Sequence, residues 1–245
     1  MRKSIWTLAA GLCLTASPAM AQSAEVAAAV SADARSEQAK AQDEARRPAT
    51  VLEFADIEKG DVVADILAGN GYFSEMIASI VGSDGKVYIV NPTGFHDPQV
   101  WAAHQEKRDN YRLLVGDPKS LVLGPDSVDM IFTHMVFHDL FWQSEQFNFP
   151  RLDVPWVLAN WHAALKDGGT VIIVDHDGPE GDPREVVERL HRLDRDAAVA
   201  TMEQAGFRLV EENDALINLD DDLEVLVFDE AVRGKTSRYM LKFTK

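Results

Sequence analysis

The residues best suited to chemistry fall in two parts of this 245-residue chain. The first is the run Asp65-Ile66-Leu67-Ala68-Gly69-Asn70-Gly71, an acid followed by a turn with two closely spaced glycines. Gly69 and Gly71 lack a Cβ, so the backbone there can turn tightly and lie against a ligand. Asp65 offers a carboxylate to a ligand ammonium group. A side chain at Gly71 is expected to obstruct the ligand and to impair binding far more than stability. The second part is a set of His and Asp residues in two pieces: His134, His138 and Asp139, then Asp175, His176 and Asp177. Histidine titrates near neutrality and can accept a proton in a reaction. His138 is expected as the base and Asp139 as its orienter, with His176 beside them. Imidazole and carboxylate are also the usual metal ligands in a site without thiols. His134 and His138 are four apart, which aligns them only on a helix. Met135-Val136-Phe137 instead continues a strand into a loop, so no metal ligand is assigned. Gly234-Lys235-Thr236 imitates the end of a P-loop, but Asp229 occupies the required earlier glycine position.

Alternating strands and helices position these residues. Apolar, β-branched runs at 62–66, 87–90, 111–115, 128–133 and 170–174 read as strands, followed by 207–211 and 239–244. Helical spacing appears at 49–57, 72–81 and 154–165, and one long helix is expected over 183–205. Such a pattern predicts an α/β, doubly wound, mostly parallel sheet with helices on both faces. In that architecture ligands bind beyond the carboxyl ends of the strands, where both sets of residues would lie. The aromatic run Phe141, Trp142, Phe147, Phe149, Trp156 and Trp161 reads as core packing, or as a lid over an apolar substrate. The acidic stretch 211–224 reads as a solvated turn, and His191 as a packing residue within the long helix.

Composition limits the partners. Forty Asp and Glu against 24 Lys and Arg give a net charge of −16, which repels phosphate backbones and anionic lipid. A small-molecule substrate is expected, without nucleic acid or a membrane surface. Residues 1–21 have the features of a cleaved export signal: Arg2 and Lys3, a short apolar stretch over 5–15, and Ala19-Met20-Ala21 as the cleavage site. Cleavage would remove Cys13, the single cysteine, and leave the protein periplasmic or secreted with no membrane attachment. Residues 22–48 read as an Ala/Glu-rich leader, helical or disordered and solvated, and 49–245 as the folded domain.

The glycine run resembles the acidic-x-Gly-x-Gly-x-Gly turn of class I S-adenosylmethionine-dependent methyltransferases. Around it stand Gly60-Asp61, Gly71-Tyr72-Phe73, Val81-Gly82 and Gly85-Lys86-Val87-Tyr88. Further on come Phe137-His138-Asp139-Leu140, Val174-Asp175-His176, Leu190-His191-Arg192, Ala205-Gly206-Phe207 and Arg233-Gly234-Lys235-Thr236. Together, over residues 46–245, these are similar to a family of exported bacterial predicted methyltransferases. The resemblance implies a seven-stranded Rossmann-like fold, S-adenosylmethionine as cofactor, and methyl transfer to a small molecule. It implies that Ala68, Gly69, Asn70 and Gly71 line the cofactor and that Asp117 faces the adenine. Two positions depart from the pattern. Leu67 stands where the first glycine belongs, and Asn91 replaces the acid that holds the ribose. A catalytically silent ligand-binding protein and a metal-assisted hydrolase are the alternatives.

Overall fold

The computed structural model describes residues 18–245, with side chains from residue 23 onward. The signal-like segment therefore lies outside the described residues except at its end, where α1 (Pro18–Val30) begins. A seven-stranded sheet forms the middle layer. Its strands are β1 (Val62–Ile66), β2 (Lys86–Pro92), β3 (Tyr111–Gly116), β4 (Val128–His134), β5 (Leu165–His176), β6 (Arg208–Asn213) and β7 (Arg238–Thr244). The order is β3-β2-β1-β4-β5-β7-β6. Strands β1 to β5 pair in parallel, and β7 runs antiparallel between β5 and β6. The expectation of a mostly parallel, doubly wound sheet is met.

Register fixes what meets at the rim. Asp65 lies beside Ile89 of β2 and Phe132 of β4, while His134 lies beside Val174 of β5. The strands on either side of the switch between β1 and β4 thus end at one level, where such sheets bind ligands.

Helices cover both faces because both faces of the strands are apolar. On one face lie α4 (Pro48–Ala55) and α5 (Tyr72–Val81). Phe73, Met76, Ile77 and Ile80 of α5 recur at helical spacing and bury against Val63, Val87, Ile89 and Phe132. On the other face Leu158 and Trp161 of α7 (Val154–Ala164) pack with Val187 of α8 (Pro183–Leu190) and Met202 of α9 (Arg195–Gln204).

Four sequence expectations change. The leader is helical and docked rather than solvated: Val26 and Ala29 of α1 join the α4–α5 core, and α2 (Glu37–Lys40) and α3 (Asp43–Arg46) follow. The long helix is two, broken at His191, which adopts φ 48° after α8, and α9 restarts under the Asp194 cap. The cause is Arg192, whose buried guanidinium bonds Asp221 at 2.8 Å and the carbonyls of Asp177 and Val225. The same contact takes Asp221 out of the supposedly solvated acidic stretch and buries it. A further helix, α6 (Pro98–Lys107), follows β2, with Asp97 accepting from the N–H groups of Gln99 and Val100. Its Asp-Pro start is a legible cap signal.

Candidate active site

The glycine turn leaves β1 and enters α5. Asp65 is buried at the strand end, and the Ser74 hydroxyl donates to its Oδ2 at 2.5 Å. Burial raises the Asp65 carboxyl to about 7, against the opposing Ser74 hydrogen bond and Arg46 charge. A cation nearby would favour the carboxylate.

Leu67, Gly69 and Gly71 all have left-handed backbone, with φ of 53°, 55° and 83°. Leu67 keeps the glycine conformation without glycine, at a cost of about 1–2 kcal/mol. Its side chain borders three cavities of 560, 300 and 50 Å³. Ala68, Gly69, Asn70 and Gly71 all line the largest.

The two glycines differ in what their missing side chains leave free. No atom lies within 4 Å of the point where a Cβ on Gly69 would sit. A Cβ on Gly71 would stand 2.9 Å from Trp101 Cη2 and 3.1 Å from His104 Nε2, both on α6. Gly71 lines the cavity and also makes room for the protein's own tryptophan, which the sequence did not show. Trp101 is fully buried, and its Nε1–H donates to the Gly69 carbonyl at 2.9 Å. Sequence reading missed α6 and both of its aromatic contacts with the turn.

Asn91 also braces the turn. Its Nδ2–H donates to the Gly69 carbonyl and its Oδ1 accepts the Gly69 N–H, both at 3.1 Å. It is fully buried and borders none of the three cavities. Asn91 is thus part of the turn's scaffold, whereas the ribose reading needed it at the cavity wall. Asp117 is exposed and accepts the Lys119 N–H at 2.9 Å, capping a short 3-10 turn. Its neighbour Pro118, with Pro92, Leu121 and Leu123, lines the smallest and apolar cleft.

The His and Asp residues separate into three places. His134 borders the 560 Å³ cavity, its ring 4.3 Å from that of Phe73 and both its nitrogens without a partner. His176 and Asp177 sit away from the turn. His176 Nδ1 is 2.8 Å from the Thr236 hydroxyl, its ring 5.9 Å from that of His138, and burial lowers its pKa to about 3.

His138, Asp139 and Asp175 form the third group. The His138 N–H donates to Asp175 Oδ2 at 2.7 Å, and its Nδ1 lies 2.8 Å from Asp175 Oδ1. Its Nε2 is 3.4 Å from Asp139 Oδ1. Burial lowers the ring's pKa, but the two carboxylates outweigh that and hold it at about 9. At neutral pH His138 is an imidazolium with no lone pair to accept a proton. Asp175 rather than Asp139 therefore holds Nδ1 of the ring, and Asp139 meets its other nitrogen. Burial lifts the Asp139 carboxyl to about 6, with the His138 charge pulling it down and Asp175 pushing it up. Asp139 borders the 300 Å³ cavity together with Leu67, Gly69, Asn70, Phe95, Val136, Trp142 and Phe149. The aromatic run is thus divided: Phe149 and Trp161 are buried, Trp142 walls this cavity, and Phe147 and Trp156 are exposed.

His191, carried to this rim by the helix break, places Nδ1 3.8 Å from Asp139 Oδ1. His138, Asp139 and His191 offer ligand atoms within 4.8 Å of one another. A cation there would have to displace the His138 proton.

Solved structures share this architecture. A SAM-dependent methyltransferase from Aquifex aeolicus aligns over 84% of this chain and 93% of its own, at 20% identity and a TM-score of 0.57. One from Mesorhizobium loti aligns over 83% and 100%, at 14% identity and 0.57. Fibrillarin from Aeropyrum pernix, with natively bound S-adenosyl-L-methionine, aligns over 83% and 76%, at 17% identity and 0.50. The fold is that of the class I methyltransferases. No family model and no curated protein matches the sequence. In this methyltransferase fold the sheet of this chain has seven strands, β7 running antiparallel to both its neighbours.

Proposed function

We propose that the protein binds S-adenosylmethionine at the glycine turn and methylates a small, largely apolar acceptor. The observation that carries this reading is that Leu67, Gly69 and Asn70 border two cavities at once. One is large enough for a cofactor, within the range of about 300–1,000 Å³ usual for ligand sites. The other holds Asp139. The residues fit the cofactor: the Gly69 Cβ position is open, and Asp65 is available to an ammonium group. The apolar cleft at Pro92, Pro118 and Leu121 suits a flat ring.

When bound, S-adenosylmethionine supplies a methyl group on a positively charged sulfur. Asp139 takes the proton from an O–H, N–H or S–H acceptor as the new bond to carbon forms, so the proton ends on its carboxyl group. His138, held by Asp175, donates towards Asp139 and fixes that carboxylate at the cavity wall. Phe95, Val136, Trp142 and Phe149 select an apolar or aromatic acceptor and keep water from the reacting atoms.

Calorimetric titration with S-adenosylhomocysteine tests the cofactor half, and no binding at millimolar ligand would end this reading. If the ligand binds but no acceptor panel yields methylated product by mass spectrometry, a ligand-binding protein without catalysis replaces it. Export is part of the proposal, supported by Arg2, Lys3 and the Ala19-Met20-Ala21 site.

A further inference from the structure

The leader reaches the wall of the large cavity. Ser36, Gln38, Ala39, Gln42 and Arg46, all from α2, α3 and their flanks, line it opposite the glycine turn. This segment is fixed in place. The Arg35 guanidinium makes a two-pronged bond to Asp43, at 2.6 and 2.8 Å, and a third bond to the Val30 carbonyl. Asp43 in turn accepts from the Tyr72 hydroxyl at 2.6 Å, and Tyr72 is the first residue of α5 after the turn. The leader is therefore tied directly to the element that follows Gly71.

Within this arrangement Arg46 is unusual. Its guanidinium lies 4.7 Å from the centre of the Tyr72 ring and pairs with no carboxylate among the described residues. The chain carries 40 acids, so an unpaired cation turned inward is not explained by any shortage of partners. Burial also lowers its pKa. A partly desolvated cation that feels Asp65 only through space, without a direct salt bridge, is costly unless something supplies a paired charge. Across the same cavity stand Asp65, the one buried acid in its wall, and His134, a buried residue with both ring nitrogens unpartnered. A carboxylate bonded to the Ser74 hydroxyl, a guanidinium over the Tyr72 ring with no salt-bridge partner among the described residues, and an unsatisfied imidazole around one space match a ligand with both charges close together.

We infer that Arg46 is a binding residue that holds the carboxylate of an α-amino-acid head group, while Asp65 faces its ammonium group and His134 bonds one of the two. The inference rests on the cofactor reading above, whose ligand has such a head group, and adds that the leader forms part of the site. A guanidinium matches a carboxylate with two parallel hydrogen bonds, which a point charge cannot do.

The test compares two probes on the full-length protein. S-adenosylhomocysteine carries the head group, and 5′-methylthioadenosine lacks it. Wild type should prefer the former, and Arg46→Gln should lose about 10- to 100-fold in affinity for it while its affinity for 5′-methylthioadenosine stays within twofold. Arg46→Lys should recover only part of the loss. Melting curves of each variant, and the 5′-methylthioadenosine affinity itself, report whether the fold is intact. If Arg46→Gln weakens both probes equally, or neither, the inference falls and the cofactor reading stands. If wild type ignores S-adenosylhomocysteine but binds L-methionine in an Arg46-dependent way, the cofactor reading falls and the inference stands. If neither ligand binds, both are overturned.

Discussion

The two glycines of the turn should respond to the same small substitution in opposite ways. Each is left-handed, so Gly69→Ala and Gly71→Ala each place a Cβ in a backbone region costing about 1–2 kcal/mol. Each also removes a similar amount of unfolded-chain entropy. Those terms nearly cancel between the variants, and what remains is packing. At Gly71 the new carbon meets Trp101 at 2.9 Å and His104 at 3.1 Å. Trp101 cannot retreat easily, because it is buried and its indole N–H is bonded to Gly69. Overpacking of this kind costs about 1–3 kcal/mol, so Gly71→Ala should be the less stable variant by that amount. For a domain of this size the difference in melting temperature is about 2–12 °C. At Gly69 the new carbon meets nothing in the protein and enters the open space where the proposed ligand would lie. Gly69→Ala should therefore lose about 5- to 100-fold in affinity for S-adenosylhomocysteine. Folded Gly71→Ala should bind within a few-fold of wild type. The assay is a melt and a calorimetric titration on each variant, run in parallel. A Gly71→Ala protein at least as stable as Gly69→Ala would refute the packing argument. Wild-type affinity in Gly69→Ala would remove the ligand from the turn.

Other outcomes follow from the same geometry. Asp139→Asn should cut turnover by about 10²–10⁴ while leaving S-adenosylhomocysteine affinity within a few-fold; equal losses in both would make Asp139 a binding residue. Because a protonated carboxyl cannot accept the acceptor's proton, wild-type turnover should fall as pH drops through about 6, and a limb that persists in Asp139→Asn contradicts the assignment. His138 has its pKa raised from 6.5 to about 9, so it contributes stability below pH 6.5 that is lost as pH rises through 9. The contribution is about 3 kcal/mol, and denaturant titrations of His138→Gln should lack that alkaline decline. Asn91→Asp sets a carboxylate oxygen against the Gly69 carbonyl in place of the Nδ2–H bond. It should destabilise by about 1–3 kcal/mol without tightening ligand binding, and a gain in affinity would return this position to the ribose. Mass spectrometry of protein from its native host should find an N-terminus at Gln22, and an intact Met1 on the bulk protein would exclude export by cleavage.

What the sequence determined by itself is what depends on near neighbours. The apolar run of β1 and the spacing of Phe73, Met76, Ile77 and Ile80 on α5 have fixed periods. So the strand, the turn and the helix after it were legible, and with their alternation the doubly wound sheet. The acid and glycines at 65–71 marked the ligand rim for the same local reason. Arg46 and Trp101 were not legible, because neither carries a motif: one lies in a leader with little apolar sequence, the other in a helix with few buried residues. The carboxylate that holds His138 was also out of reach. His138 acquires its charge from Asp175, 37 residues away, and only the pairing of β4 with β5 brings that carboxylate to 2.8 Å. The packing role of Gly71 emerged similarly once α6 folded back across the turn. Residue types near in sequence set which elements form, through backbone geometry and periodicity. Proton positions, orphaned charges and the room around a missing Cβ are set by groups distant in the chain, and only packing decides which of those groups meet.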